Sequence, residues 1–492
     1  MTVQHLVDRM RSGPPDVEVS EYVSRARRAQ REFDAYSQSE VDRVVTAVGW
    51  AIYEPTRARA LAELAVRSTG MGIVSDKFDK NRRKTLGTLS DLHGVVSVGE
   101  IHRDDAAGIV EYAKPMGVVA AICPSTNAAA APANISMHIL KGRNAVVLSP
   151  SPRALSTCRE LVGYVRAELG AIGAPADLVQ VLDPVTKARS DELIVAADFA
   201  VVTGSEANVR SAYRSGTPVS GVGKGNPQII VCADADIVAA VEKIVKSKTF
   251  DNGISCSSES VLHIQESVYG AVTVALSDAG GQLLEGSEVE RLRDLMWLDG
   301  KLNRDVVGRT AHQLLSAARI EPRPGVGFIM VELSDCDELD PFSGEKMAPI
   351  LAMHSYGGLD EVLGRIGNIL DYQGAGHSCG IHTVSTEAAE RVAATVRVAR
   401  VIVNQPHVVG NSGAFDNGLA CTLSVGGGTW AGNSTCDNID YQHFINRTKL
   451  VRTIPAIVPD EEILFSRYLR SAAQVVSGGE FAPIREVQRH GR

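Results

Sequence analysis

The sequence lacks a long apolar run. Of its 492 residues 44% are hydrophobic, yet no stretch approaches the roughly 20 apolar residues a membrane-spanning helix needs. The first ten residues carry Asp8 and Arg9 and no apolar core, so no secretory leader is expected there and the reading is cytoplasmic. Aromatics are scarce at 5%, and the formal net charge is -8. Such a chain is not built to neutralise nucleic-acid phosphates. The eight cysteines (Cys123, Cys158, Cys232, Cys256, Cys336, Cys379, Cys421 and Cys436) fit neither a zinc spacing nor a dense disulfide framework. No histidine cluster has ligand spacing, so no metal is expected. Nor does a GxGxxG follow a strand, so the usual dinucleotide phosphate loop is missing. Internal repeats and low-complexity linkers are absent as well.

What is present is glycine, at 45 residues, in a chain too long for one core. Gly13, Pro14 and Pro15 break off a short N-terminal segment. Val19 to Ser68 reads as three helices, with Ala26, Ala29, Phe33 and Tyr36 at helical spacing and Pro55 between the second and third. Lys77 to Leu92 predicts a fourth. Strands then alternate with helices: strands over Gly117–Cys123, Asn144–Leu148, Leu178–Leu182, Phe199–Thr203 and Val219, with Gln228–Val231 closing the series. Helices are expected over Asn134–Leu140, Arg153–Leu169 and Lys187–Ala196. This crossover rhythm predicts a parallel α/β sheet.

A second α/β region is expected from Val261 to Val403. It holds helices over Glu285–Asp299, Asp305–Ala318 and Thr386–Val401, and strands over Gly327–Glu332, Ala348–His354 and Gly380–Val384. Gly426, Gly427, Gly428 and Gly432 predict an ordered loop near a ligand or interface. Arg447 to Ile454 predicts a strand, and the tail from Gln474 is expected to be mobile. The expected division is 1–240 for the N-terminal helices and a cofactor-binding domain, 241–425 for a catalytic domain, and 426–492 for a return to the first domain with an oligomerisation strand.

Most cysteines in such a chain are small buried hydrophobes. Cys256 differs, because it follows a polar turn and lies among Gly253, Ser255, Ser257 and Ser258. At a helix start, local amides would favour its thiolate. The segment Lys248-Thr249-Phe250-Asp251-Asn252-Gly253-Ile254-Ser255-Cys256-Ser257-Ser258-Glu259 resembles the nucleophile loop of the CoA-acylating aldehyde dehydrogenases. Four further blocks agree, in order, between about Tyr112 and Lys449. Pro124-Ser125-Thr126-Asn127 is similar to the loop whose amide, matched by Asn127, completes the oxyanion hole. Ser149-Pro150-Ser151-Pro152-Arg153 follows the strand of the adenosine pocket and lacks the lysine many relatives place there. Thr203-Gly204-Ser205 resembles the turn that holds the nicotinamide cofactor at a helix N-terminus. Phe342-Ser343-Gly344-Glu345-Lys346 resembles the block whose glutamate, here Glu345, binds the nicotinamide ribose.

One more comparison carries the chemistry. Where hydrolytic relatives read Glu-Leu-Gly-Gly-Lys before Asn-Pro, this chain reads Gly221-Val222-Gly223-Lys224-Gly225-Asn226-Pro227. Gly221 has no carboxylate to activate water.

The resemblance implies an α/β fold of the aldehyde dehydrogenase type, with two α/β domains and a small oligomerisation element. It implies NAD or NADP as cofactor and coenzyme A as co-substrate. Cys256 is expected to attack a small aldehyde (acetaldehyde, propionaldehyde or sulfoacetaldehyde), with Asn127 and the Cys256 amide holding the oxyanion. Pro124, Ser125, Ser149, Arg153, Thr203, Gly204, Ser205, Gly221 and Glu345 are the expected cofactor contacts. His377 and Glu259 are candidate auxiliaries for proton transfer, and Arg153 a candidate for a 2'-phosphate. A homodimer or homotetramer is expected. Two alternatives stand beside this reading: a hydrolytic dehydrogenase releasing a free acid, against which Gly221 argues, and a non-catalytic scaffold, against which the joint presence of Cys256, Asn127 and Glu345 argues.

Overall fold

The N-terminal helices form because apolar residues recur on one face and their ends are capped. Val19–Phe33 buries Val19, Tyr22, Val23, Ala26, Ala29 and Phe33. Gln38–Tyr53 opens on a capping box between Ser37 and Glu40, and Pro55–Thr69 starts with Pro55 at its first position and Glu54 accepting from the amides of Thr56 and Arg57. Val74–Leu92 is unusual: Lys77, Lys80 and Lys84 are buried, while Leu86 is exposed. The computed structural model describes residues 17–333 and 340–477. The leading segment with Met1–Met10 and Gly13–Pro15, Cys336, and the tail beyond Ser477 lie outside the described residues.

The described residues fall into two units, one running up to Ile101 and over Tyr112–Thr448, the other comprising His102–Glu111 and the chain from Lys449. A sheet of order β1-β2-β17 contains β1 Gly99–Asp104, β2 Ile109–Pro115 and β17 Ile445–Val451. The first two strands form a hairpin that the sequence reading did not include.

The larger unit holds two parallel sheets. The first contains β3 Val118–Cys123, β4 Ala145–Pro150, β5 Val179–Val181, β6 Phe199–Thr203 and β7 Val219–Val222, in the order β5-β4-β3-β6-β7. Its central strands are almost wholly buried. That is why they read as continuous apolar runs rather than alternating ones. The chain moves outward from β3 to β5, then returns to the other side of β3 as β6. The switch point of the topology therefore lies at the carboxyl ends of β3 and β6, where open α/β sheets bind ligands.

The second sheet contains β8 Gln228–Val231, β9 Val261–Gln265, β10 Gly281–Leu284, β13 Phe328–Glu332, β14 Ile350–Tyr356, β15 Cys379–His382 and β16 Val401–Val403, in the order β10-β13-β14-β9-β8-β15-β16. Gln228–Val231, expected to close the first sheet, instead pairs with β9 and β15 at the middle of the second. Its four residues are fully buried and apolar enough for either sheet. Three helices end or begin differently from the expectation. Thr386–Val401 stops at Thr395, because Val401–Val403 pairs as an edge strand with β15. Glu285–Asp299 spans only Ser287–Met296; a hairpin of β11 Trp297–Leu298 and β12 Lys301–Leu302 follows, turned by Asp299 and Gly300 at positive φ. Asp305–Ala318 begins at Ala311, where Thr310 and Gln313 make a capping box.

Candidate active site

The chain enters the site through three consecutive left-handed residues. Asp251, Asn252 and Gly253 have φ of 53°, 56° and 63°. Asp, Asn and Gly are the types that tolerate this conformation, which costs other residues about 1–2 kcal/mol each. The reversal ends the helix Ile237–Thr249 and turns the backbone toward Cys256. Its side chains hold it there. Asp251 is fully buried; its carboxylate accepts from Lys80 Nζ at 2.7 Å, Lys77 Nζ at 3.0 Å and the Ile73 amide at 2.9 Å. Its own amide donates to Asp76 at 2.7 Å, and Asn252 Nδ2 donates to the Gly308 carbonyl at 2.9 Å. Burial pushes the Asp251 carboxyl up, but Lys80 and Lys77 outweigh it and hold the group below its usual range. A methyl at Gly253 would lie 2.6 Å from the Ala348 carbonyl oxygen, so this position is closed to side chains.

Cys256 is half-buried and opens on a cavity lined by Lys80, Arg83, Lys84, Asn127 and Phe250 on one side and Val408, Ser412, Leu423 and Val425 on another. Of the described cysteines it alone lines this cavity; five others are buried and Cys436 is exposed. No helix starts at Cys256. It sits in a turn in which the Ser258 amide donates to the Ser255 carbonyl, ahead of β9. The helix-start stabilisation of a thiolate is therefore absent, and burial, then the charge of Glu345, push the thiol up to about 11 against the opposing pull of Ser257 and Arg400.

Asn127 follows β3 at the switch point and faces the same cavity. Lys80 Nζ lies 2.9 Å from its Oδ1. An ammonium can only donate, so this contact assigns the amide and leaves Nδ2 as the donor group. Gly225 passes over Cys256: a Cβ there would lie 2.1 Å from the Cys256 carbonyl oxygen and 3.0 Å from His377 Cε1. His377 is buried, and its Nδ1 is 2.8 Å from Ser378 Oγ. Its Nε2 has no partner, and burial holds it neutral, well below the usual histidine range. Arg400 ties the surrounding loops together by donating to the carbonyls of His377, Gly426 and Cys436 and to Asn411 Oδ1. The loops around Gly376 and Gly427 interlock, since a methyl at Gly376 would meet the Gly427 carbonyl oxygen at 2.1 Å.

The remaining expected residues divide into two groups. Pro124 and Ser125 lie with Asn127 after β3, and Thr203, Gly204 and Ser205 lie after β6, so both turns flank the switch point. Thr203 Oγ1 is 3.0 Å from Ser424 Oγ, a Cβ at Gly204 would touch only Asn208 Nδ2, at 3.8 Å, Gly223 has open space beside its α-carbon, and Ser205 caps the helix Glu206–Tyr213. Ser149 is buried at the end of β4, 2.8 Å from Ser190 Oγ. Glu345 is half-buried; burial pushes its carboxyl up to about 7 despite the nearby Lys224, and the Gln373 side chain accepts from its amide at 2.9 Å.

Other residues sit apart from Cys256. Gly221 lies on β7, where a Cβ would meet Val209 at 2.6 Å and the Tyr213 ring at 2.9 Å. Arg153 is exposed and faces Asp305 at 3.8 Å. Glu259 is buried, with its carbonyl on Lys248 Nζ at 2.8 Å and one carboxylate oxygen on the His407 amide at 3.2 Å. Burial pushes its carboxyl up, and it is not among the groups lining the cavity.

Sequence reading missed Lys80, Arg83 and Arg400. A signal for Lys80 existed: Lys77, Lys80 and Lys84 repeat at helical spacing on the inward face of a helix whose Leu86 points to solvent. Lys84 is saturated by the carbonyls of Ser412 and Gly413 and by Ser412 Oγ. Arg83 makes no hydrogen bond or ion pair among the described residues and stacks only on Phe250, at 5.6 Å.

The site residues fit a nicotinamide dinucleotide: the turn Thr203-Gly204-Ser205 after β6 leads into a helix N-terminus, a Cβ at Gly204 would touch only Asn208 Nδ2, at 3.8 Å, and Gly223 has open space beside its α-carbon. The model of the family described as "Aldehyde dehydrogenase family" matches residues 5–295. A sulfoacetaldehyde dehydrogenase (acylating) of Cupriavidus necator is 46% identical over 453 residues, 92% of each chain. An acetylating aldehyde dehydrogenase from Geobacillus thermoglucosidasius has a TM-score of 0.87 and 32% identity over 90% of this chain and 98% of its own. A propionaldehyde dehydrogenase from Rhodopseudomonas palustris, solved with bound CoA and an acylated cysteine, has a TM-score of 0.80 at 25% identity, over 88% of this chain and 97% of its own. The chain belongs to the aldehyde dehydrogenase family, on its CoA-acylating branch.

Proposed function

We propose that this enzyme oxidises a short anionic aldehyde, of the sulfoacetaldehyde kind, to its acyl-CoA through a thioester on Cys256. The carrying observation is Arg83, a guanidinium without a hydrogen-bonding or ion-pairing partner among the described residues, in the cavity that holds Cys256. A planar cation in a partly dry pocket matches a sulfonate or carboxylate. The likeness to an acylating sulfoacetaldehyde dehydrogenase supports the same choice.

In the proposed mechanism, the Cys256 sulfur adds to the carbonyl carbon. Asn127 Nδ2 and the Cys256 amide hold the oxygen as it becomes an anion. Nicotinamide, when bound, supplies the hydride acceptor that turns this adduct into a thioester. Thr203, Gly204 and Ser205 would hold it together with Pro124 and Ser125, Ser149 would serve its adenosine side, and Glu345 would accept from its ribose hydroxyls. Arg153, exposed beside Asp305, is the proposed discriminator for a 2'-phosphate. Gly221 leaves no carboxylate to activate water, so the thioester waits for the CoA thiol. That thiol attacks the acyl carbon, expels the Cys256 thiolate and gives its proton to neutral His377 at Nε2. Glu259 serves the nucleophile turn by holding the His407 amide rather than by moving protons.

The proposed division of labour follows the sheets, the five-stranded one holding cofactor and the seven-stranded one the nucleophile. We also propose a homodimer or homotetramer. Strand β17 is at the edge of its sheet, and Ile457, Val458, Ile463, Leu464, Phe465 and Tyr468 are exposed. Among the described residues, no helix is long and apolar enough to cross a membrane.

The test is kcat/KM for sulfoacetaldehyde, succinate semialdehyde, acetaldehyde and propionaldehyde with CoA and NAD or NADP, followed by absorbance of the reduced cofactor. Preference for the two anions is expected. Equal use of all four removes the anionic-substrate reading. CoA-independent turnover as fast as the CoA-dependent reaction would instead favour hydrolysis.

A further inference from the structure

A helix that buries three lysines near a nucleophile needs an explanation, because each buried ammonium loses solvation that only close partners restore. Lys84 spends its donors on backbone and Ser412. Lys77 bridges Asp251 and the Thr126 carbonyl, at 3.0 and 3.3 Å. Lys80 joins Asp251, at 2.7 Å, to Asn127 Oδ1, at 2.9 Å, and lies 5.3 Å from the centre of the Phe250 ring. It is 5% exposed and Asp251 is 0% exposed, so the pair is fixed within the protein.

We infer that Lys80 is a positioning residue for the oxyanion hole: anchored on Asp251, it holds Asn127 Oδ1 so that Nδ2 is presented to the cavity. A carboxamide has two unlike ends of similar shape. Turned about its last bond, Asn127 would present a lone pair where the reaction needs a donor, and repel the developing anion. Lys80 forbids that turn, since its ammonium accepts nothing. Asp251 stands five residues before Cys256, so the same carboxylate that shapes the nucleophile turn also sets the amide that serves it.

The inference rests on the proposed role of Asn127, and the test separates the two. Single variants N127A and K80M and the double variant are compared by kcat with saturating aldehyde, cofactor and CoA, and by the rate of Cys256 alkylation with iodoacetamide, which needs the thiol but no oxyanion hole. Losing one oxyanion donor lowers turnover ~100- to 1,000-fold, and K80M, which loosens it, is expected to lower kcat by ~10- to 100-fold. K80M added to N127A is expected to cost nothing further, and K80R to recover most of the loss. Alkylation of K80M is expected to stay within about twofold of the parent, as Lys77 still holds Asp251. Equal losses from K80M in both backgrounds, or alkylation slowed as much as turnover, would show Lys80 acting on the nucleophile turn alone and overturn the inference. Full turnover in N127A would remove the oxyanion role of Asn127 itself, and the inference with it.

Discussion

Replacing Arg83 with methionine keeps the apolar stem against Phe250 and removes only the guanidinium. Lys80 and Lys84 are already committed to Asp251, Asn127 and Ser412, so no neighbouring cation is free to substitute. A hydrogen bond to a charged group contributes about 1.5–3 kcal/mol. Coulomb attraction at about 4 Å and an effective dielectric near 20 sets an upper figure of roughly 4 kcal/mol. Taking the lower range, kcat/KM for an anionic aldehyde should fall ~10- to 150-fold, since each 1.36 kcal/mol is a factor of ten. A neutral aldehyde of similar length makes no such contact, so its kcat/KM should change by no more than about threefold. The assay is initial-rate formation of reduced cofactor with sulfoacetaldehyde and propionaldehyde at matched CoA. Most of the loss should appear in KM, because the sulfonate is bound equally before and during reaction. If both aldehydes lose the same factor, Arg83 supports the cavity wall and does not read charge, and the substrate reading fails.

Four further outcomes follow from the same geometry. Cys256, pushed up to about 11, should react with iodoacetamide about tenfold faster per pH unit between pH 7 and 10, because the thiolate alone is reactive. E345Q removes an anion that raises the thiol, so it should speed alkylation at pH 8; slower or unchanged alkylation would contradict that arrangement. G221E should not create CoA-independent hydrolysis, since a side chain there runs into Val209 and Tyr213; release of free acid above the parent rate would show that the strand can turn the carboxylate toward Cys256. D251N leaves two buried lysines without their anion, a change that typically costs ~3–5 kcal/mol. It should lower the Tm by several degrees in differential scanning fluorimetry, and an unchanged Tm would mean the ion cluster is not holding the turn.

The sheets were legible because both signals that make parallel strands are local. Apolar runs such as Val118–Cys123 and Ala145–Leu148 carry their own ends, and the helix between them, Ala130–Lys141, is buried along its whole length. The boundary between sheets was not legible. Gln228–Val231 is buried on both faces, and only its partners β9 and β15, distant in sequence, decide its sheet. The same long-range pairing cut short the helix from Thr386, where Val401–Val403 is claimed by β15. In the site, Cys256 and Asn127 were found by resemblance, and the cavity then joined them. Arg83 and Lys80 were not found, because charge on a helix reads as a solvated face unless the wheel is drawn against its exposed Leu86. Asp251-Asn252-Gly253 carried a readable turn signal, but its positive φ at all three positions is fixed by partners from Ile73 to Gly308.

The central claim is that Cys256 carries an acyl group that passes to CoA rather than to water. The direct measurement is intact-protein mass spectrometry after mixing enzyme, oxidised cofactor and aldehyde without CoA, followed by a CoA chase. One acyl increment per chain is expected, located on the peptide holding Cys256, stable for many turnover times, discharged as acyl-CoA on the chase, and absent in C256A. An increment that decays to free acid before CoA is added, or that forms in C256A, contradicts the account.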